Sequence, residues 1–228
     1  MSSPPLSYHT ITTPQGYPLH YRCYRSELDI GHILSLCSPS LSEPYSLYTY
    51  RYFVLKFGDC CWFAFRNRPG ADGRAGEGPP GSEAEEREEY DCVGCCICKV
   101  DSTFVDGPAP PPPPPTAGGG LASALSGLKV SRPVEIEVKT GYIGMLCTDP
   151  KHRNNNVALS LLNLSISSLK AVGCSAITLE VEDTNKPAEG IYRKVGFSEV
   201  GRWKRYYLNG GGARRLRLDW DDPISDNK

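Results

Sequence analysis

Apolar positions along the chain follow two periods. Ile30, Ile33, Leu34 and Cys37 recur at the three- and four-residue spacing of a helix face, with Ser26 as a candidate cap and Pro39 as the stop. Closely spaced aromatics from Tyr45 to Tyr52 predict a second helix. Asp59–Phe65 and Cys92–Val100 read as two strands, with the intervening residues as the turn of their hairpin. Tyr142–Cys147 (YIGMLC) is nearly all apolar and predicts a central strand buried on both faces. Val157, Ala158, Leu161, Leu162, Ser165 and Leu169 then mark one face of a helix that Gly173 terminates. The next run, ITLEVE, alternates strictly, so Ile177, Leu179 and Val181 face one way and Thr178, Glu180 and Glu182 the other. A short helix over 185–195 and a strand pair at 199–208 and 214–218 complete one α/β domain spanning 16–220.

Two stretches break this pattern. Residues 68–89 are rich in Gly, Pro and Glu, and 102–134 contain a proline tract followed by glycines. Both bury too little apolar surface to offset ordering entropy and are predicted to be loop insertions. The 25 Lys and Arg nearly balance the 26 Asp and Glu, so no global basic field argues for DNA or an anionic membrane. No apolar run is long enough to span a bilayer, and the first residues lack the pattern of an export leader, which predicts a protein that is neither secreted nor membrane-spanning and stays in a reducing compartment. In that reducing setting the ten cysteines read as thiols. Strand alternation sets Cys95 opposite Cys92, Cys96 and Cys98, and no second ligand pair lies nearby, so no metal site is expected.

The unusual chemistry lies between the apolar strand and the long helix, where KHRNNNVALSLL places Arg153 and three asparagines before an apolar face. Asparagine favours turns and tolerates left-handed backbone, so this turn is expected to aim main-chain amides at an anion from a helix N-terminus, with Arg153 adding charge. An ordinary asparagine cap without a ligand is the plainer alternative.

Arg153-Asn154-Asn155-Asn156-Val157-Ala158 resembles the R-x-x-G-x-G/A motif of the GNAT superfamily of acetyl-CoA-dependent acyltransferases, with Asn156 where the motif has glycine. LEVEDTNKPAEGIYRKVGF resembles the superfamily's fifth strand and following helix, with Asn185, Ala188 and Tyr192 at the N-x-x-A-x-x-x-Y spacing. LSEPYSLYTYRYF, CVGCCICKVD, GYIGMLCTDPKHR and RYYLNGGGARRLRL are similar to the catalytic subunits of NatC-type N-terminal acetyltransferases. The resemblance implies a GNAT fold, a mixed central sheet flanked by helices, and transfer of acetyl from acetyl-CoA to the α-amine of nascent proteins beginning Met-hydrophobic. It also implies NatC auxiliary subunits and the ribosome as partners, with Arg205, Arg214, Arg215 and Arg217 as a basic cluster suited to either.

By the same resemblance, Glu180 is the general base and Tyr192 the general acid. Met145, Leu146, Cys147, Arg153, Asn154, Asn155, Asn156, Val157, Ala158 and Asn185 bind the cofactor, the main chain near Leu146 and Cys147 holding the thioester carbonyl. Leu41, Glu43, Tyr45, Tyr206 and Tyr207 meet the acceptor peptide. Apolar and aromatic walls suit a methionine followed by a bulky side chain, while Glu43 and the tyrosine hydroxyls suit its backbone. Two other readings stand beside this one: an inactive assembly scaffold, because Asn156 brings a side chain where bare backbone is wanted, and an acetyltransferase with a lysine or small-amine acceptor.

Overall fold

The computed structural model describes residues 8–68, 83–106 and 135–220. Eight strands form one sheet: β1 (Tyr8–Thr12), β2 (Pro18–Cys23), β3 (Trp62–Asn67), β4 (Tyr90–Asp106), β5 (Glu135–Thr148), β6 (Cys174–Glu182), β7 (Ser198–Trp203) and β8 (Ala213–Asp219). Their order is β1-β2-β3-β4-β5-β6-β8-β7, and every neighbouring pair is antiparallel except β5 and β6. The expected mixed sheet flanked by helices is therefore present. α1 (Leu28–Cys37) and α2 (Leu47–Phe57) cover one face, burying Ile33, Tyr50 and Phe53 with Cys95, Ile97 and Met145 of the sheet. α4 (Val157–Ala171) and α5 (Lys186–Val195) cover the other, where Leu161, Leu169 and Tyr192 pack against Cys96, Cys98 and Ile177.

Two bulges decide which residues face which layer. Ala64 pairs with Gly94 and Phe65 with Cys92, so Val93 is the extra residue of β4. The slip turns Cys92 toward the face of Cys95, correcting the simple alternation that grouped it with Cys96 and Cys98. In β5 the extra residue is Gly144, between Ile143 opposite Cys98 and Met145 opposite Ile97. A Cβ there would meet the Phe53 ring at 3.0 Å, so the bulge sits where a side chain has no room.

The bulge also coincides with the end of sheet continuity. β5 pairs with β6 only as far as Tyr142 opposite Thr178, although β5 continues to Thr148 and β6 to Glu182. The two parallel strands part beyond that point. This corrects the expectation of a β5 covered on both faces: Ile143, Met145 and Cys147 are buried, but Leu146 and Gly144 border open space.

Other boundaries shifted for local reasons. The first helix begins at Leu28 with Glu27 at its cap; the Ser26 hydroxyl accepts from the Leu28 amide at 3.4 Å, and the buried Asp29 carboxylate accepts from the Arg25 amide at 2.7 Å. Leu34 points outward and Leu36 inward. The second helix starts behind Ser46, which accepts from the Thr49 amide, and runs to Phe57. Residues 58–60 form a 3-10 turn, so β3 begins later than expected. β7 stops at Trp203 because the chain turns before Leu208. β1, outside the expected domain, pairs along its length with β2.

Parts of both expected insertions are structured. β4 runs to Asp106 and β5 starts at Glu135, extending their ribbon into 102–134. Glu83–Glu89 forms the short helix α3, and its Glu86 is buried against Arg22. The Arg22 Nε donates to Glu86 at 2.8 Å while its Nη atoms donate to Asp29 at 2.9 and 2.7 Å. Burying a guanidinium is tolerable only with such partners, so one acidic residue of a low-complexity segment closes an ion-pair network. The remaining insertion residues lie outside those described.

Candidate active site

The loop from β5 to α4 explains the three asparagines. After Thr148, Asp149 Oδ1 accepts from the Lys151 amide at 2.8 Å and opens a 3-10 turn over Pro150–His152. Asn154 (φ 61°) and Asn156 (φ 59°) both adopt left-handed backbone, which asparagine tolerates better than most non-glycine residues. Asn155 between them is buried, its Nδ2 donating to the Arg153 carbonyl at 3.2 Å. Two asparagines bend the chain and the middle one braces it. Asn155 itself does not line the cavity. The Asn156 side chain makes no cap hydrogen bond, so the first-turn amides of α4 are not satisfied by it.

These amides border a cavity of about 530 Å³ on the α4 and α5 side of the sheet. Arg153, Asn154, Asn156, Val157 and Ala158 line one end, Asn185 and Tyr192 the other, with Leu146, Cys147 and Lys194 between. Asn156 forms part of the wall and leaves the space open. His152, also on the wall, has its Nε2 3.0 Å from Arg66 Nη1. Asn185 caps α5, its side chain accepting from the Ala188 amide at 3.2 Å, and so fixes the helix that carries Tyr192.

A second cavity of about 150 Å³ lies toward the loop between α1 and α2. Leu41, Glu43, Tyr45, Met145, Glu180, Tyr206 and Tyr207 line it. The two cavities share Ser40, Leu41, Leu146, Asn185, Ala188 and Tyr192, so they meet where β5 and β6 part. Apart from Asn155, every residue singled out from the sequence as a catalytic, cofactor or acceptor group borders this bipartite space.

The titratable groups differ in character. Burial pushes the Tyr192 phenol well above its ordinary range, which keeps it a proton donor near neutrality. Burial likewise raises Tyr206, and Tyr207 to about 12. The Glu180 side chain is only 6% exposed and contacts Arg215, with Nη2 at 2.6 Å and Nε at 2.8 Å from the same Oε1. Tyr142 lies beside it, its phenol raised first by burial and then by Tyr45 and Glu180. Arg215 was not among the site residues drawn from the sequence; the strand register that sets it opposite Glu180 is the signal that finds it.

The basic cluster, in contrast, is largely neutralised. Arg214 pairs with Asp183 at 2.8 Å and Glu189 at 2.6 Å, Arg215 with Glu180, and Arg217 with Asp219 at 2.8 Å. These contacts remove the simple picture of a free cationic patch. All ten cysteines are free thiols, nine of them buried. Burial pushes Cys60 to about 11 and Cys23 to about 12, the character of small apolar core residues.

A split mixed sheet with a helix N-terminus at one end of a continuous cleft and a carboxylate and phenol along it defines an acyltransferase-like architecture. The acetyltransferase (GNAT) family model matches residues 31–197, and the chain belongs to that family. It is 31% identical to human N-alpha-acetyltransferase 30 over 200 residues, 88% of this chain but 41% of that protein, so it spans about two fifths of that relative's length. N-alpha-acetyltransferase MAK3 of Arabidopsis thaliana is 29% identical over 205 residues, covering 90% of this chain and 80% of that protein. A solved NatC complex bound to Gag peptide and CoA contains a chain with 26% identity and a TM-score of 0.63, covering 89% of this chain and 99% of that one. No helix among the described residues is long and apolar enough to cross a membrane.

Proposed function

We propose that this protein is an acetyl-CoA-dependent N-α-acetyltransferase acting on proteins that begin with Met and a large hydrophobic residue. The observation that carries the reading is the meeting of the two cavities: Tyr192 borders both, Glu180 borders the acceptor side, and the asparagine turn closes the other end. Acetyl-CoA supplies an acetyl group activated as a thioester. The residues present suit such a guest. The uncapped amides of α4, with Arg153 and Lys194, offer donors and positive charge to a diphosphate. The main-chain N–H of Leu146, past the last β6 pairing and on the strand edge away from β4, offers a donor to a carbonyl oxygen.

An α-amine has a pKa of about 7.7–8.0, so its deprotonation makes only a mild demand. Glu180 accepts that proton through water as the C–N bond forms. Tyr192 supplies a proton to the departing thiolate as the C–S bond breaks. No cysteine intermediate is invoked, because nine of the ten thiols are buried and Cys147, which lines the cavity, is held well above the ordinary thiol range by its hydrogen bond to Cys37 and by burial. Leu41, Tyr45, Tyr206 and Tyr207 provide an apolar and aromatic enclosure for the first two side chains. The similarity to a chain of the NatC complex supports auxiliary subunits as partners; in this reading the protein acts on nascent chains at the ribosome in the cytoplasm.

Calorimetric titration with acetyl-CoA, followed by assays on peptides differing only in their first two residues, tests the reading. Micromolar binding and acetylation of Met-Leu or Met-Phe amino termini are expected. Acetylation confined to lysine side chains overturns the N-terminal assignment. Absence of acetyl-CoA binding, with recovery in Asn156→Gly, replaces catalysis by a scaffold role.

A further inference from the structure

The antiparallel register of β6 and β8 sets Arg215 directly opposite Glu180, so the two side chains leave the same face of the sheet. Both Arg215 contacts, Nε at 2.8 Å and Nη2 at 2.6 Å, converge on Glu180 Oε1. Neither guanidinium nitrogen claims Oε2, and the Tyr142 phenol is the carboxylate's other side-chain hydrogen-bond partner. The guanidinium's own position is fixed from below: its carbon sits 4.9 Å from the centroid of the Trp203 ring, and Trp203 stacks at a tilt on Tyr206, a wall of the acceptor cavity. Arg214 and Arg217, its neighbours on β8, are committed to other carboxylates. Arg215 does not line the acceptor cavity, whereas Glu180 does, so its influence on an acceptor passes through the carboxylate.

We infer that Arg215 is a positioning residue for the acetyl-transfer base: seated on Trp203, it fixes the rotamer of Glu180 through Oε1 and turns Oε2 toward the acceptor amine. The inference rests on the acetyltransferase reading and adds a residue to it. A carboxylate on a flexible side chain loses rate when its orientation is released, even when its charge persists. The Arg215 side chain is 44% exposed, so the contact contributes orientation more than stability.

The test uses the full chain in four forms besides wild type: Arg215→Met, Arg215→Lys, Glu180→Gln and the Arg215→Met/Glu180→Gln double variant, each checked for a native circular dichroism spectrum and melt. In Arg215→Met, kcat is expected to fall about tenfold with the acetyl-CoA KM unchanged, and Arg215→Lys, which keeps charge near Glu180, is expected to recover part of it. The double variant should be no slower than Glu180→Gln alone, because contacts acting through one group are not additive. Full kcat in Arg215→Met, or a loss that multiplies with that of Glu180→Gln, overturns the positioning role. Wild type that binds no acetyl-CoA removes the acetyltransferase reading and this role with it, a result distinct from active wild type with an indifferent Arg215.

Discussion

The Glu43 carboxylate accepts a hydrogen bond from the main-chain N–H of Leu208, a residue 165 positions further along the chain. This contact ties the loop between α1 and α2 to the loop between β7 and β8, and both loops wall the acceptor cavity. The turn it holds is closed by the Gly210 amide donating to the Tyr207 carbonyl at 2.8 Å and the Tyr207 amide donating to Gly211 at 3.0 Å. Glu43 thus has a task in the free protein that competes with any peptide anchor.

Removing the clasp should loosen the acceptor wall and spare the nucleotide end. Glu43→Ala is expected to raise the peptide KM several-fold while leaving acetyl-CoA affinity within twofold, and to speed amide hydrogen exchange at Leu208. Glu43→Gln, which retains an acceptor oxygen, should restore part of the protection. Unchanged exchange across 207–211 in Glu43→Ala would remove the clasp from the account.

Asn156 offers a second test, because its backbone is left-handed at φ 59°. Glycine adopts that conformation without penalty, whereas a β-branched residue pays on the order of 1–2 kcal/mol. Asn156→Gly should therefore keep the melting temperature within a degree or two and hold or tighten acetyl-CoA binding. Asn156→Val should lower both, because the strain falls on the turn that presents the α4 amides. Calorimetry and thermal melts on the two variants decide it, and equal behaviour of glycine and valine would show that the turn does not depend on this backbone region.

The face alternation of ITLEVE was legible in the sequence because a strand has a strict period of two, and the structure keeps Ile177, Leu179 and Val181 buried with Glu180 on the opposite face. The asparagine turn was legible through its backbone preference, although its division of labour was not: only coordinates distinguish the brace Asn155 from its two bent neighbours. What periodicity missed were single-residue interruptions. Val93 and Gly144 each insert one residue into a strand, reversing the facing of Cys92 and splitting the walls of β5; Val93 has no signature beyond the adjacent Gly94, and Gly144 none beyond being a glycine within a strand run. Long-range pairing was equally invisible. An acidic helix in an apparent spacer closes on Arg22, and Arg214 and Arg215 of β8 find carboxylates on other elements. Composition reports such charges as solvated because it carries no information about which strand lies opposite.

Glu189 leads to a prediction about pH. It sits on α5, three residues before Tyr192, and contacts Lys186 at 3.1 Å, Arg193 at 3.0 Å and Arg214 at 2.6 Å. Contacts with Lys186 and Arg193, then the charge of Arg214, hold its carboxyl down at about 2. In the unfolded chain the group returns to about 4.3. The unfolded state therefore binds the extra proton between those values, so the stabilisation is complete above about pH 4.3 and disappears as pH falls toward 2. Glu189→Gln should melt below wild type at pH 7, and the gap should narrow at pH 3. A gap independent of pH would assign the effect to packing.

Gly94 links the packing of the core to the chemistry of the cleft. A Cβ at this position would lie 2.9 Å from Val157 Cγ1, 3.0 Å from Leu161 Cδ1 and 3.2 Å from the Cys147 carbonyl. Val157 is the first residue of α4, and Cys147 belongs to the strand edge proposed to hold the acetyl carbonyl, so the glycine lets helix and strand approach from both sides of one point. Gly94→Ala forces one of them outward. Overpacking of this kind costs roughly 1–3 kcal/mol, which should appear as a lower melting temperature. Because the displaced element begins at the asparagine turn, acetyl-CoA affinity should fall along with stability, whereas Gly190→Ala, inside a helix where an added Cβ meets nothing within 4 Å, should leave affinity near wild type and raise the melting temperature slightly. Loss of stability in Gly94→Ala with full affinity retained would show that the first turn of α4 keeps its place independently of the sheet beneath it.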